Sequence, residues 1–116
     1  MNRYLAIDTS SSYLTVLVCG GGEPVCIFEK DGALQHSVRL MDVVDEAFSR
    51  AGMRPQDCDF FCAVTGPGSF TGIRIGVSAV KGFCEGTGKP ALGRTSFRVL
   101  AYNAEGKVLA VVPAGR

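Results

Sequence analysis

At His36 the apolar residues of this chain change their period, and that change limits the folds open to it. Before it, from Tyr4 to Ile7, Tyr13 to Cys19 and Val25 to Phe28, they form short runs rich in Val, Leu and Ile. Asp8-Thr9-Ser10-Ser11-Ser12 and Gly20-Gly21-Gly22 separate the runs. Such clusters favour turns, because the polar side chains bond nearby backbone and glycine tolerates positive φ. A three-stranded meander is predicted, with the first run as a central strand. From His36 to Ala51, Leu40, Val43, Val44, Ala47 and Ala51 share one face, while Arg39, Asp42, Glu46 and Arg50 share another. This is the pattern of an amphipathic helix. Ser37 is its expected N-cap and Gly52 its stop, with Pro55 barring continuation. Glu46 and Arg50 stand four apart in the favourable order for an ion pair.

Beyond this helix, Phe60 to Val64 reads as a buried strand ended by Thr65-Gly66-Pro67-Gly68. A second helix is expected from about Gly72 to Glu85, then a short strand near Ala91-Leu92, a helix over Ser96–Asn103 and a strand over Lys107–Val112. Three strands followed by helix, strand, helix, strand and helix make an α/β fold: a mixed five-stranded sheet with helices on both faces. That order suits the ribonuclease H-like half-domain shared by actin, sugar kinases and heat-shock ATPases. The 116 residues suffice for one core, so a single subdomain over 1–116 is expected. The last strand would open a second half-domain, which is expected to be absent beyond Arg116.

Twelve Lys and Arg against eleven Asp and Glu give a formal charge of +1, with no basic cluster to hold a phosphate backbone. Direct nucleic-acid binding is therefore not expected. Val108 to Val112 is too short to span a bilayer, and the N-terminus lacks a signal-peptide pattern, so no membrane association and a cytoplasmic location are expected. Five cysteines stand at 19, 26, 58, 62 and 84. Their number is odd, the chain is large enough to fold without staples, and Cys58 and Cys62 lack metal-site spacing, so they read as packed thiols and no metal is expected. His36 is the single histidine, which rules out HExxH or any paired-histidine zinc site. No catalytic residue emerges; His36 and Ser37 are adjacent and poorly disposed to act as a pair.

Two loops hold polar or glycine residues where open sheets place ligand groups. Asp8, Thr9 and Ser10 follow the first strand; a carboxylate there holds magnesium in kinases of this architecture, or simply satisfies a turn. Gly66 and Gly68 permit positive φ or close backbone approach, and Ser69 or Thr71 is positioned to cap the next helix. These are the candidate cofactor residues, although the lysine of a GxxxxGK[ST] loop is missing. Arg74, read as lying in the first helical turn, opposes the macrodipole there, so either a carboxylate of this chain or of a partner lies beside it or the side chain reaches into solvent. Gly72, Gly76, Ala79 and Gly82 line the same helix. Interior glycines lower helix stability by about 1 kcal/mol each, which implies close approach of another backbone, from this chain's own sheet or from another subunit.

Ala6-Ile7-Asp8-Thr9-Ser10, His36-Ser37, Ala51-Gly52, the run from Gly66 to Gly76 and Ala79-Val80-Lys81-Gly82 together resemble the TsaB (YeaZ) family. Gly66-Pro67-Gly68-Ser69-Phe70-Thr71-Gly72-Ile73-Arg74-Ile75-Gly76 is the specific part. The resemblance implies the actin-like ATPase fold and a non-catalytic role. The subunit would support a TsaD-type transferase in threonylcarbamoyl modification of adenosine beside the anticodon of tRNAs reading ANN codons. A TsaE-type ATPase would be a further partner, and ATP with magnesium would be bound by the assembled complex rather than by this chain. The resemblance also implies docking through helices and allows a homodimer over an overlapping surface. Carried onto this sequence, the partner residues are Leu40, Val44 and Ala47 on the first helix and Ile73, Arg74, Gly76, Val80 and Phe83 on the second. The alternative is a small actin-fold ATPase or kinase that uses Asp8 and the loop from Gly66 to Gly72.

Overall fold

The computed structural model describes residues 3–10, 13–20, 22–30, 32–66 and 70–95, with backbone alone for 30, 32–37, 70, 94 and 95. Among the described residues, five strands and two α-helices follow in the order β1 (Tyr4–Asp8), β2 (Tyr13–Cys19), β3 (Val25–Lys30), α1 (Gly32–Ala51), β4 (Phe60–Gly66), α2 (Phe70–Thr87) and β5 (Ala91–Thr95), with a short 3-10 turn at Pro55–Asp57. They form one sheet in the order β3-β2-β1-β4-β5. The β1–β2 and β2–β3 pairs are antiparallel, as tight connections require, whereas the helix-linked neighbours β1–β4 and β4–β5 run parallel. β1 is central, and Leu5, Ala6 and Ile7 are all buried, which explains its unbroken apolar run.

Both described helices cover one face of this sheet. Leu5, Ile7, Leu14, Val16, Val18, Phe61 and Ala63 meet Leu40, Val43, Val44, Ala47 and Phe48 of α1 and Val80 of α2. Phe83 stacks on Phe61 with ring centroids 5.3 Å apart and lies tilted against Phe48 at 6.5 Å. On the other face Ala6, Leu17 and Cys62 are buried, beside the stacked rings of Tyr4 and Phe60. The helix and strand expected at 96–103 and 107–112 lie outside the described residues.

Helix boundaries differ from the sequence expectation in two places. α1 begins at Gly32, a turn earlier than expected, in keeping with the good helix formers Ala33, Leu34 and Gln35. Ser37 therefore lies inside the helix and is not its N-cap. α2 begins at Phe70, so Thr71 cannot cap it and Arg74 stands past the first turn; Ser69 lies outside the described residues. The end of α1 is as expected. Gly52 has φ +67°, its N–H donates to Ser49 C=O at 3.2 Å, and Met53 N–H donates to Phe48 C=O at 3.1 Å. This Schellman arrangement gives the last carbonyls their partners. Glu46 and Arg50 form the predicted ion pair.

Candidate functional site

The carboxyl end of β1 carries Asp8, Thr9 and Ser10. Asp8 Oδ1 accepts the Ser10 N–H at 2.9 Å and the Ser10 hydroxyl at 2.5 Å. Those two bonds close a local turn, which is the structural role the sequence left open for this cluster. Ser10 is buried, so its hydroxyl serves the fold rather than standing at the surface. Among the described residues, no group of three His, Cys, Asp or Glu side chains is disposed to hold a metal ion.

Thr9 turns the other way and is 1% exposed. Its hydroxyl donates to Gly72 C=O and accepts the Gly76 N–H at 3.0 Å. Gly72 and Gly76 are four residues apart, the acceptor and donor of one α-helical turn. Strand β1 thus grips the start of α2 through one side chain. The glycines make this possible: a Cβ on Gly76 would lie 2.7 Å from Thr9 Oγ1 and 3.3 Å from Ile7 Cγ2. At the head of this connection Gly66 has φ +144°, inside a register shift between β4 and β5, so its glycine identity is needed there. Gly68 lies outside the described residues, and with Pro67 and Ser69 also outside, the loop itself offers no described anion cradle.

The surface seam between α1 and α2 is an open groove of about 590 Å³, lined by Leu40, Met41, Thr71, Arg74, Ile75, Ser78 and Ala79. Leu40 forms its buried floor. Met41 is 47% exposed, and Val38, one turn before it on α1, is 69% exposed. Arg74 is exposed on the α2 side.

Of the residues expected to meet a partner, Arg74 lies in this groove and Ile73 is half-buried near Gly66. Leu40, which floors the groove, and Val44, Ala47 and Val80 are 0–3% exposed and packed on the sheet of this chain. Gly76 faces Thr9 and Ile7. Phe83 is half-buried against Phe61. The apolar face of an amphipathic helix satisfies the chain's own core first. The groove residues not named among the partner candidates are Met41, Thr71, Ile75, Ser78 and Ala79, although the sequence marks Ala79 on the small-residue face. Val38 and Met41 carried a readable signal, being apolar residues three apart on the otherwise charged side of α1.

The thiols follow their surroundings. Cys58 is buried in the helix-side core and Cys62 on the opposite face, so the sheet separates them and they cannot share a ligand. Burial pushes the Cys58 thiol up to about 11, with the neighbouring carboxylates of Asp57 and Asp59 adding to the rise and Lys89 opposing it. Lys89 Nζ donates to Cys58 C=O at 2.7 Å and Gln56 C=O at 3.3 Å, tying the loop before β4 to the end of α2.

Residues 30–116 match the family described as "TsaD: tRNA N6-adenosine threonylcarbamoyltransferase". The chain is 30% identical over 117 residues to the "tRNA threonylcarbamoyladenosine biosynthesis protein TsaB" of Escherichia coli (strain K12), an alignment covering 97% of this chain and 50% of that protein. It is 31% identical over 109 residues to the "tRNA N6-adenosine threonylcarbamoyltransferase" of Anaeromyxobacter dehalogenans (strain 2CP-C), covering 80% of this chain and 33% of that protein. Among solved structures, "YeaZ from Pseudomonas aeruginosa" superposes with a TM-score of 0.81 at 30% identity, over 92% of this chain and 50% of that one. The chain therefore spans half or less of the length of these relatives. The superposition is in keeping with the actin-like fold expected from the order of elements.

Proposed function

Because the chain belongs to the family described as TsaD, tRNA N6-adenosine threonylcarbamoyltransferase, and within it to the TsaB (YeaZ) proteins, we propose that it is a non-catalytic subunit. It supports a TsaD-type transferase that places the threonylcarbamoyl group on the adenosine beside the anticodon of tRNAs reading ANN codons. The observation that carries this reading is the groove between α1 and α2. Exposed Met41 with half-buried Ile75 and Ala79 give it an apolar centre, and Arg74 gives it a charged rim. An apolar patch edged by polar groups is the common form of a protein-binding surface, and arginine is enriched among residues that dominate such contacts. The non-catalytic part rests on Asp8 and Ser10, whose paired side chains close a turn.

The test is titration calorimetry of the chain with the TsaD-type protein of the same organism. Met41→Glu and Arg74→Glu weaken binding by about tenfold or more each while the circular dichroism spectrum is retained. Unchanged affinity in both variants would remove the groove from the proposal. A TsaE-type ATPase joins the same assembly, a homodimer uses an overlapping surface, and the setting is the cytoplasm.

ATP and magnesium belong to that assembly rather than to this chain alone. Titrating MgATP into the isolated chain gives no heat on this reading. Tight binding abolished by Asp8→Ala would instead favour an actin-fold ATPase or kinase. The Escherichia coli and Anaeromyxobacter dehalogenans relatives are named for tRNA modification, which supports the first reading.

A further inference from the structure

We propose that Thr9 is a positioning residue for the partner surface: its hydroxyl, bound to Gly72 C=O and Gly76 N–H, sets the rotation of α2 and so the direction in which Arg74, Ile75 and Ser78 face the groove. This rests on the reading of the α1–α2 groove as the surface for a TsaD-type protein.

Helices packed on other elements are held in rotation by side-chain ridges entering the grooves of a neighbour. Ile75 and Val77 pack on the core from the flanks of the first turns of α2, but at the point of contact with Thr9 the helix presents Gly72 and Gly76, which have no side chains. The Thr9 hydroxyl takes the place of a ridge there. It is 1% exposed, reaches across from the end of β1, and bonds to the backbone of α2 at both glycines. The fit is close, since even a Cβ on Gly76 would meet Thr9 Oγ1 at 2.7 Å. Arg74 and Ser78 each lie two residues after a gripped glycine, about 200° further round the helix. They therefore project from the opposite side of α2, into the groove. A small rotation of the gripped turn swings these side chains, and the hydroxyl is what fixes it. Asp8 and Ser10, by closing the turn around Thr9, hold the hydroxyl on its targets.

The test compares Thr9→Ala, Thr9→Val and Thr9→Ser with a core control, Val18→Ala in β2, which is buried but remote from α2 in the sheet order. Affinity for the TsaD-type protein is measured at a temperature where every variant is folded. Thr9→Ala and Thr9→Val weaken binding by about tenfold, Thr9→Ser restores it to within about twofold of the parent, and Val18→Ala leaves it unchanged despite lowering the thermal midpoint. A hydroxyl that served stability alone would give the Thr9 variants the affinity of the control, and that result overturns the proposal, as does failure of serine to restore binding. Should the variants not fold, amide exchange of the unsubstituted chain decides. Partner binding slows exchange of the Gly76 amide, on the far side of α2 from the groove, by about tenfold, and unaltered exchange overturns the proposal. Absence of any binding by the unsubstituted chain defeats the groove reading itself, whereas binding that ignores Thr9 defeats only this inference.

Discussion

Alanine at Gly76 and alanine at Gly82 are the same substitution in the same helix, and the structure gives them opposite signs. At Gly82 a Cβ meets nothing within 4 Å. The exchange there stabilises the chain by about 0.5–1 kcal/mol, through the lower conformational entropy of alanine in the unfolded state. At Gly76 the same gain applies, but the new Cβ falls 2.7 Å from Thr9 Oγ1 and 3.3 Å from Ile7 Cγ2. Overpacking of a close site costs about 1–3 kcal/mol. Displacing the Thr9 hydroxyl weakens two hydrogen bonds, each contributing about 0.5–1.5 kcal/mol. Against a gain of about 1 kcal/mol, the balance is a loss of about 2 kcal/mol. For a chain of this size that lowers the thermal midpoint by about 8 °C, while Gly82→Ala raises it by about 2–4 °C. Urea unfolding of both variants measures the two signs directly. The cause is separable by a double-mutant cycle. In a Thr9→Ala background Oγ1 is gone and Ile7 Cγ2 is the nearest remaining atom. The loss from Gly76→Ala should then shrink by about 1 kcal/mol or more. A stabilising Gly76→Ala, or one equally harmful with and without the Thr9 hydroxyl, would refute the packing argument.

Three further outcomes follow from local chemistry. Gly52→Ala places a side chain at φ +67° with no atom within 4 Å of the new Cβ, so the change should lower stability by about 1 kcal/mol from conformation alone, measured by urea unfolding. The Arg39 guanidinium holds the Glu29 carboxyl below its ordinary value, first through a side-chain hydrogen bond at 2.8 Å and then through its charge. A depressed folded pKa stabilises above the unfolded pKa and ceases to do so as pH falls through the folded value. Glu29→Gln should therefore cost up to about 1 kcal/mol near pH 7, less in high salt, and nothing in strong acid, as read from unfolding midpoints across pH. With its thiol at about 11, Cys58 is thiolate in only about one molecule per thousand at pH 8. Mass spectrometry after brief maleimide treatment should find label on exposed Cys26 well before Cys58 or Cys62, both of which are buried. Early modification of Cys58 would contradict its burial.

The five strands, both helices and the stop at Gly52 were legible because their signals are local. Alternation, the 3.6-residue period and a glycine after the last apolar position act within a few residues of one another. The Glu46–Arg50 pair was legible for the same reason, being set by helical spacing alone. The start of α1 was less so, since Ser37 offered a capping side chain but Ala33, Leu34 and Gln35 extended the helix past it.

The candidate site is different. The sequence singled out Thr9 and the glycines of α2 as unusual and could not connect them, because they stand 63 and 67 residues apart and meet only when α2 lies on β1. It also marked an apolar stripe on α1 without saying what would cover it. Folding buried Leu40, Val44 and Ala47 on the sheet and left Met41 and Val38 outside. By itself the sequence determined the order of elements and the apolar stripe of α1, since both depend on residue types at fixed short spacings. Only the tertiary structure decided that Gly72 and Gly76 receive Thr9, because backbone approach between β1 and α2 depends on where distant segments come together.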